Sequence, residues 1–233
     1  KDCLFDEQLL SIANRHRICV LQSAHDSTHI TNLIAEQLDL LFAPRQSIHG
    51  TLVDIYGIGV IFLGKSGIGK SEIALDLIER GHRLVADDLV MTIRKNDQIL
   101  IGEGRKLADH HLEIRGLGLV DVKRLFGIRS IRRSKRIEVV VELVPWDPTR
   151  NFDRTGLEEH FKEINGVKLP YVLLPVHPGK NITVLSETIA LNHLLKLNGI
   201  NIAQEFNERL IKAMSQKNRE KKEYLDFMKA DYE

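Results

Sequence analysis

The octapeptide Gly64-Lys65-Ser66-Gly67-Ile68-Gly69-Lys70-Ser71 fits G-x-x-x-x-G-K-[ST] and constrains the chain more than any other stretch. An apolar run at residues 59–63 precedes it. A helical pattern at residues 71–80, with Ile73, Leu77 and Ile78 on one side, follows it. Glycines let the backbone curl so that successive N–H groups point at phosphate oxygens. The start of the helix adds a favourable partial charge for anions. Lys70 is placed to neutralise terminal phosphates, and the Ser71 hydroxyl to ligate Mg²⁺. Strand, loop and helix together predict an α/β domain that grips a phosphate chain. The competing reading is a glycine-rich turn without a ligand.

A second strand candidate, residues 83–86, ends in Asp87-Asp88 one helix after Lys70. Carboxylates at the carboxyl end of a strand sit where phosphates and metal gather in α/β proteins. One is placed to hold the metal or its waters, the other to take a proton from an attacking hydroxyl. Alone, the pair also reads as the opening of a turn. No guanine-reading N-K-x-D occurs, which argues against a GTPase, and the D-x-x-G at residues 153–156 is too short to count.

Other residues fit the same chemistry less specifically. Leu112-Glu113-Ile114-Arg115-Gly116-Leu117-Gly118 offers Glu113 as an oxygen ligand for Mg²⁺ and Arg115 as a forked phosphate contact. Alone, it reads as an alternating strand with a surface Glu/Arg pair. His49 precedes Gly50 and an apolar strand, where a hydrogen-bonded structural histidine is the plainer alternative. Arg154 lies in a loop-like stretch suited to conformational gating. Pro175-Val176-His177-Pro178-Gly179-Lys180 reads as a rigid turn with two cationic groups.

Composition narrows the setting. The 233 residues are 43% hydrophobic and 28% charged, which is a globular composition. A net charge of +1 excludes a chain that is basic overall, as many nucleic-acid binders are. The basic cluster at residues 129–136 reads as a solvated edge or a patch for an acidic protein partner. Two cysteines, Cys3 and Cys19, give no disulfide framework and no zinc pattern, which suits a reducing cytosol. No apolar run approaches the length of a membrane span. The chain opens Lys1-Asp2-Cys3 without Met, so residues upstream are expected to be missing.

Periodicity predicts helices at residues 6–14, 28–42, 71–80, 187–197 and 203–214, with a polar helical tail after them. Strands are predicted at residues 18–22, 51–56, 59–63, 83–86, 91–94, 99–102, 137–144, 172–175 and 182–185. Pro44 stops the second helix, and we place a boundary there. Residues 1–43 then read as the remnant of an N-terminal domain with a linker, and residues 44–233 as the catalytic domain.

Together these motifs resemble the bacterial HPr kinase/phosphorylase family. The resemblance runs through Ser47-Ile48-His49-Gly50-Thr51, the phosphate loop with Glu72, Arg80-Gly81-His82-Arg83-Leu84-Val85-Ala86-Asp87-Asp88, residues 112–118, Phe152-Asp153-Arg154 and Pro175 to Lys180. His-Gly, Ala-Asp-Asp and Glu-Ile-Arg-Gly-Leu-Gly in this order make it specific. The resemblance implies a P-loop kinase domain with a mixed central sheet, related to phosphoenolpyruvate carboxykinase. It implies a cytoplasmic homohexamer that phosphorylates a serine of the phosphocarrier HPr from ATP or pyrophosphate, so regulating carbon metabolism. The reverse reaction would use inorganic phosphate and release pyrophosphate. Asp88 would act as proton acceptor and, in reverse, proton donor. His49, Lys70 and Arg154 would complete the catalytic set. Residues 64–71 would bind the donor, and Ser71 and Glu113 would ligate Mg²⁺. Residues 112–121 would serve both directions and residues 175–180 dephosphorylation. Neither nucleic acid nor membrane is an expected partner.

Lys180 stands where the family usually has Arg, which replaces a fork by a point charge. Leu194 stands where a basic residue is common. The family's N-terminal domain is longer than residues 1–42. Three alternatives compete: a P-loop metabolite kinase, a nucleotide-sensing regulator without catalysis, and a nucleic-acid binder acting through residues 129–136.

Overall fold

The computed structural model describes residues 6–104, 110–149, 152 and 158–230, with side chains other than Leu40 described as far as residue 216. Backbone contacts divide the chain into two units, Lys1–Pro44 and Arg45–Glu233. The first unit holds two helices, α1 (Glu7–Arg15) and α2 (Ser27–Phe42). Each starts at an aspartate, Asp6 or Asp26, whose carboxylate accepts from a backbone N–H of the first turn. The strand predicted at residues 18–22 does not form. Ile18 and Leu21 are exposed there, and no ladder takes up their backbone groups.

The second unit is α/β, as the sequence predicts. Its elements run β1 (Arg45–His49), β2 (Thr51–Ile55), β3 (Ile58–Gly64), α3 (Lys70–Glu79), β4 (Arg83–Ala86), β5 (Leu89–Asn96), β6 (Ile99–Glu103), β7 (His111–Ile114) and β8 (Gly118–Asp121). They continue with α4 (Val122–Phe126), β9 (Ser134–Arg136), β10 (Val139–Pro145), β11 (His160–Ile164), β12 (Val167–Val176), α5 (Ile182–Leu197) and α6 (Ile202–Ala230). The six-stranded sheet has the order β11-β12-β10-β3-β2-β4, beside a four-stranded sheet β1-β5-β6-β9 and the hairpin β7-β8. The strands β3, β10 and β12 are parallel, and β2 runs antiparallel to both β3 and β4.

The central strands are apolar at nearly every position because both of their faces are covered. Ile58, Val60 and Phe62 of β3 point one way, onto Ile73, Ala74 and Leu77 of α3. Ile61 and Leu63 point the other way, into a core shared with Val90 and Leu100 of the second sheet. Phe62 is fully buried, and truncating such a side chain costs about 3–5 kcal/mol.

Residues 182–185, predicted as a strand, are instead the first turn of α5. The β-branched run Ile182-Thr183-Val184 imitates a strand. Local capping decides otherwise: the Asn181 carboxamide accepts from Val184 N–H, and Thr183 Oγ1 donates to Asp76 of α3 at 2.7 Å.

This topology brings the strand ends together. Because β4, β10 and β12 run in the direction of β3, their carboxyl ends share one edge of the sheet. The phosphate loop, Asp87-Asp88, Trp146 and the turn at residues 177–180 all leave from that edge. It is the crevice where open α/β sheets take their ligands.

Candidate active site

The loop at residues 64–71 leaves β3 through glycines that the geometry requires. Gly64, Gly67 and Gly69 have φ of 140°, 77° and 104°. A side chain on Gly64 would lie 2.6 Å from the Leu143 carbonyl. Gly69 caps α3 without a side-chain hydrogen bond, so the first N–H groups of the helix remain open to an anion. Lys70 is buried, and its Nζ donates to the Gly64 and Lys65 carbonyls, each at 3.1 Å. The ammonium is thus folded back over the loop.

Asp87 joins two elements to this loop. Ser71 Oγ donates to its Oδ2 at 2.9 Å, and Thr51 Oγ1 donates to its Oδ1 at 2.6 Å. Thr51 is fully buried at the start of β2. Its role is absent from the sequence reading, where a threonine opening a strand carries no signal.

Asp88 points elsewhere. It adopts the left-handed conformation with φ 62°, which costs a non-glycine residue about 1–2 kcal/mol. Gly50 N–H donates to its carbonyl at 3.1 Å, and Leu89 N–H donates to the Asp87 carbonyl at 2.7 Å. These bonds hold the turn and aim the carboxylate outward. Its side chain is 74% exposed and meets His49 Nδ1 at 3.1 Å. Asp88 is thus a strained, exposed carboxylate with a histidine nitrogen in reach, next in the chain to the Asp87 that accepts from Ser71.

The hairpin β7-β8 carries Glu113 and Arg115. Leu112 and Ile114 are buried in the core against α3, so the alternate residues face out. Glu113 is exposed, opposite Leu119. Among the described residues no group of three or more His, Cys, Asp or Glu gathers as a metal cage. Mg²⁺ takes few protein ligands, and the adjacent oxygens of Ser71 and Asp87 suit it. Arg115 lies against the phosphate loop: a β-carbon on Gly67 would stand 2.5 Å from its Nη1 and 2.7 Å from its Cζ.

Arg154 lies outside the described residues. The nearby Phe152 ring stacks on Trp146 with centroids 5.5 Å apart, and Trp146 also meets His177 edge-on at 5.8 Å. Trp146 N–H donates to the Val176 carbonyl at 3.1 Å. The turn that follows β12 closes with Lys180 N–H on the His177 carbonyl at 3.2 Å. The basic cluster is partly structural: Arg132 pairs with buried Asp54 and Lys135 with Glu138, each at 2.7 Å.

The model of the HPr serine kinase C-terminal domain matches residues 41–210. The HPr kinase/phosphorylase of Chloroherpeton thalassium is 51% identical over 205 residues, covering 88% of this chain and 60% of that protein. The HPr kinase/phosphorylase of Geobacter sulfurreducens is 48% identical over 202 residues, covering 87% of this chain and 63% of that protein. The chain thus spans about 60% of the length of the curated relatives it matches. The solved HPr(Ser) kinase/phosphatase of Coxiella burnetii superposes with a TM-score of 0.60 at 34% identity, covering 66% of this chain and 99% of that one. A family match that spans the strand edge, the phosphate loop and the Asp-Asp turn agrees with what the fold assembles there. The chain belongs to the HPr serine kinase C-terminal domain family.

Proposed function

We propose that the chain is the catalytic part of an HPr serine kinase/phosphorylase. The observation that carries this reading is Asp88, held outward with His49 Nδ1 at 3.1 Å and next in the chain to the Asp87 that accepts from Ser71. In the forward direction a serine hydroxyl of HPr approaches the terminal phosphoryl group of ATP or pyrophosphate. Asp88 takes the hydroxyl proton as the serine oxygen bonds to phosphorus and the bridging oxygen departs. His49 orients the Asp88 carboxylate. Lys70 swings from the loop carbonyls onto the donor's terminal phosphates, where its charge offsets that of the transition state. Arg154 is assigned a further phosphate contact on the resemblance alone. Ser71 and Glu113 would hold Mg²⁺, with Asp87 orienting the Ser71 hydroxyl; the ion supplies charge neutralisation of the phosphates.

In reverse, an oxygen of inorganic phosphate attacks the phosphoserine phosphorus. The ester oxygen leaves with the proton from Asp88, and pyrophosphate forms. Excluding water favours phosphorolysis over hydrolysis. Residues 175–180, the end of β12 and the turn after it at the same sheet edge, are assigned to this direction.

Recognition of HPr falls to local basic surface, given the chain's net charge of +1. Arg129, Arg133 and Arg136 are the exposed arginines of the basic cluster that no internal ion pair takes up among the described residues. A homohexamer in the cytoplasm is the proposed assembly, with exposed Phe206 and Leu210 on α6 as apolar surface for it. No described helix is long and apolar enough to cross a membrane.

The test is incubation with γ-labelled ATP and purified HPr, then with inorganic phosphate. The reading predicts label on an HPr serine, followed by its release as pyrophosphate. Absence of label on HPr contradicts it.

A further inference from the structure

The hairpin β7-β8 delivers a guanidinium into the phosphate loop. Its tip turns through Gly116 and Gly118, at φ 85° and 93°, with Leu117 N–H donating to the Ile114 carbonyl at 3.1 Å. Its inward residues Leu112 and Ile114 anchor it in the core with Ile73 and Leu77 of α3. Arg115 then sits over Gly67. The site of a β-carbon on Gly67 is 2.5 Å from Nη1, 2.7 Å from Cζ and 2.9 Å from Nη2. The guanidinium fork therefore occupies the volume that any side chain at position 67 would fill. Arg124 pairs with Asp121 and Arg132 with Asp54. Among the described residues Arg115 forms no such pair and is exposed at the loop.

We propose that Arg115 contacts the transferred phosphoryl group, approaching through the space that the missing side chain at Gly67 leaves open. Two nitrogens of a planar fork suit two nonbridging phosphoryl oxygens, which a single ammonium such as Lys70 cannot span. The contact deepens the phosphoryl-transfer reading and rests on it. It also makes docking of the hairpin a condition for transfer, because the cation arrives from β7 and not from the loop.

The test uses the full chain with Arg115→Ala, Arg115→Lys and Gly67→Ala. Calorimetric titration with inorganic pyrophosphate measures the grip directly, and steady-state transfer from ATP to HPr separates kcat from KM. Arg115→Ala is expected to weaken pyrophosphate binding about tenfold and to lower kcat roughly 10²-fold, as for loss of one preorganised donor. Arg115→Lys restores only part of kcat, because the fork is lost. Gly67→Ala, which both strains the loop at φ 77° and crowds the fork, is expected to lose at least as much pyrophosphate affinity as Arg115→Ala. A purely structural role predicts a lower melting temperature with pyrophosphate affinity and kcat unchanged, and that result overturns the proposal. So does full rescue by lysine. If the unsubstituted chain leaves HPr unlabelled, the functional reading fails, while the pyrophosphate affinities still decide the role of Arg115.

Discussion

Ser71 Oγ donates to Asp87 Oδ2 at 2.9 Å while Thr51 holds the other carboxylate oxygen at 2.6 Å. The hydroxyl that would face the metal is therefore set by a buried residue on another strand. Thr51→Val keeps the shape and removes the donor, freeing Asp87 to turn. We expect the Mg²⁺ requirement for transfer to rise about tenfold, in line with loss of an outer-shell partner. Thr51→Ser is expected to restore it. Titrating Mg²⁺ in the transfer assay checks both.

Gly50 lies under the turn that carries Asp88. A β-carbon there would stand 2.7 Å from the Phe62 carbonyl and 2.9 Å from a Leu63 methyl group. Gly50→Ala must shift the backbone whose N–H holds the Asp88 carbonyl at 3.1 Å. We expect destabilisation of about 1–3 kcal/mol, typical of overpacking, together with a lower transfer rate. Denaturant unfolding and kcat, measured on the same sample, test the pair of effects.

Glu187 on α5 accepts from buried His82 at 3.0 Å and pairs with Arg80 at 3.2 Å. It joins the segment that follows α3 to α5, and Tyr56 packs edge-on against His82 at 4.6 Å. Glu187→Ala leaves His82 without this acceptor in the core. We expect a loss of about 1–3 kcal/mol, as for a buried polar group left without its partner, seen as a lower denaturant midpoint at unchanged slope.

His193 on α5 has its pKa lowered by burial, with Lys196 and Arg136 adding to the shift and Glu138 opposing it. A histidine with a depressed folded-state pKa takes up its proton less readily when folded than when unfolded. Its environment therefore costs nothing above the unfolded value of about 6.5 and costs stability as pH falls below it. His193→Gln is expected to gain melting temperature over the parent chain at pH 5.5 relative to pH 8. An equal offset at both values would contradict this.

The sequence carries most of the fold where signals are local. The run from β3 through the loop into α3 is written in adjacent residues, and so are β4 with its carboxylates and the β5-β6 hairpin. What stays hidden is non-local. Ser134, Lys135 and Arg136 look like a charged patch, yet their backbones pair with β6 as β9. Thr183 reads as a strand residue until its bond to Asp76 fixes it in α5. The same division holds at the site. Lys70, Ser71 and Asp88 are visible as motif, whereas the Thr51–Asp87 bond and the Arg115–Gly67 approach join strands that only the sheet topology brings together. Asp88 was readable as a carboxylate at a strand end, but its left-handed backbone and its exposure were not.

Asp88→Asn, assayed in both directions with HPr, tests proton transfer by this carboxylate. An amide keeps the size of the side chain and loses the proton acceptor. We expect kcat to fall about 10²–10⁴-fold for phosphorylation from ATP and for phosphorolysis alike, with ATP affinity and melting temperature close to those of the parent chain. Transfer within about tenfold of the parent rate in either direction would contradict Asp88 as the proton-transfer group.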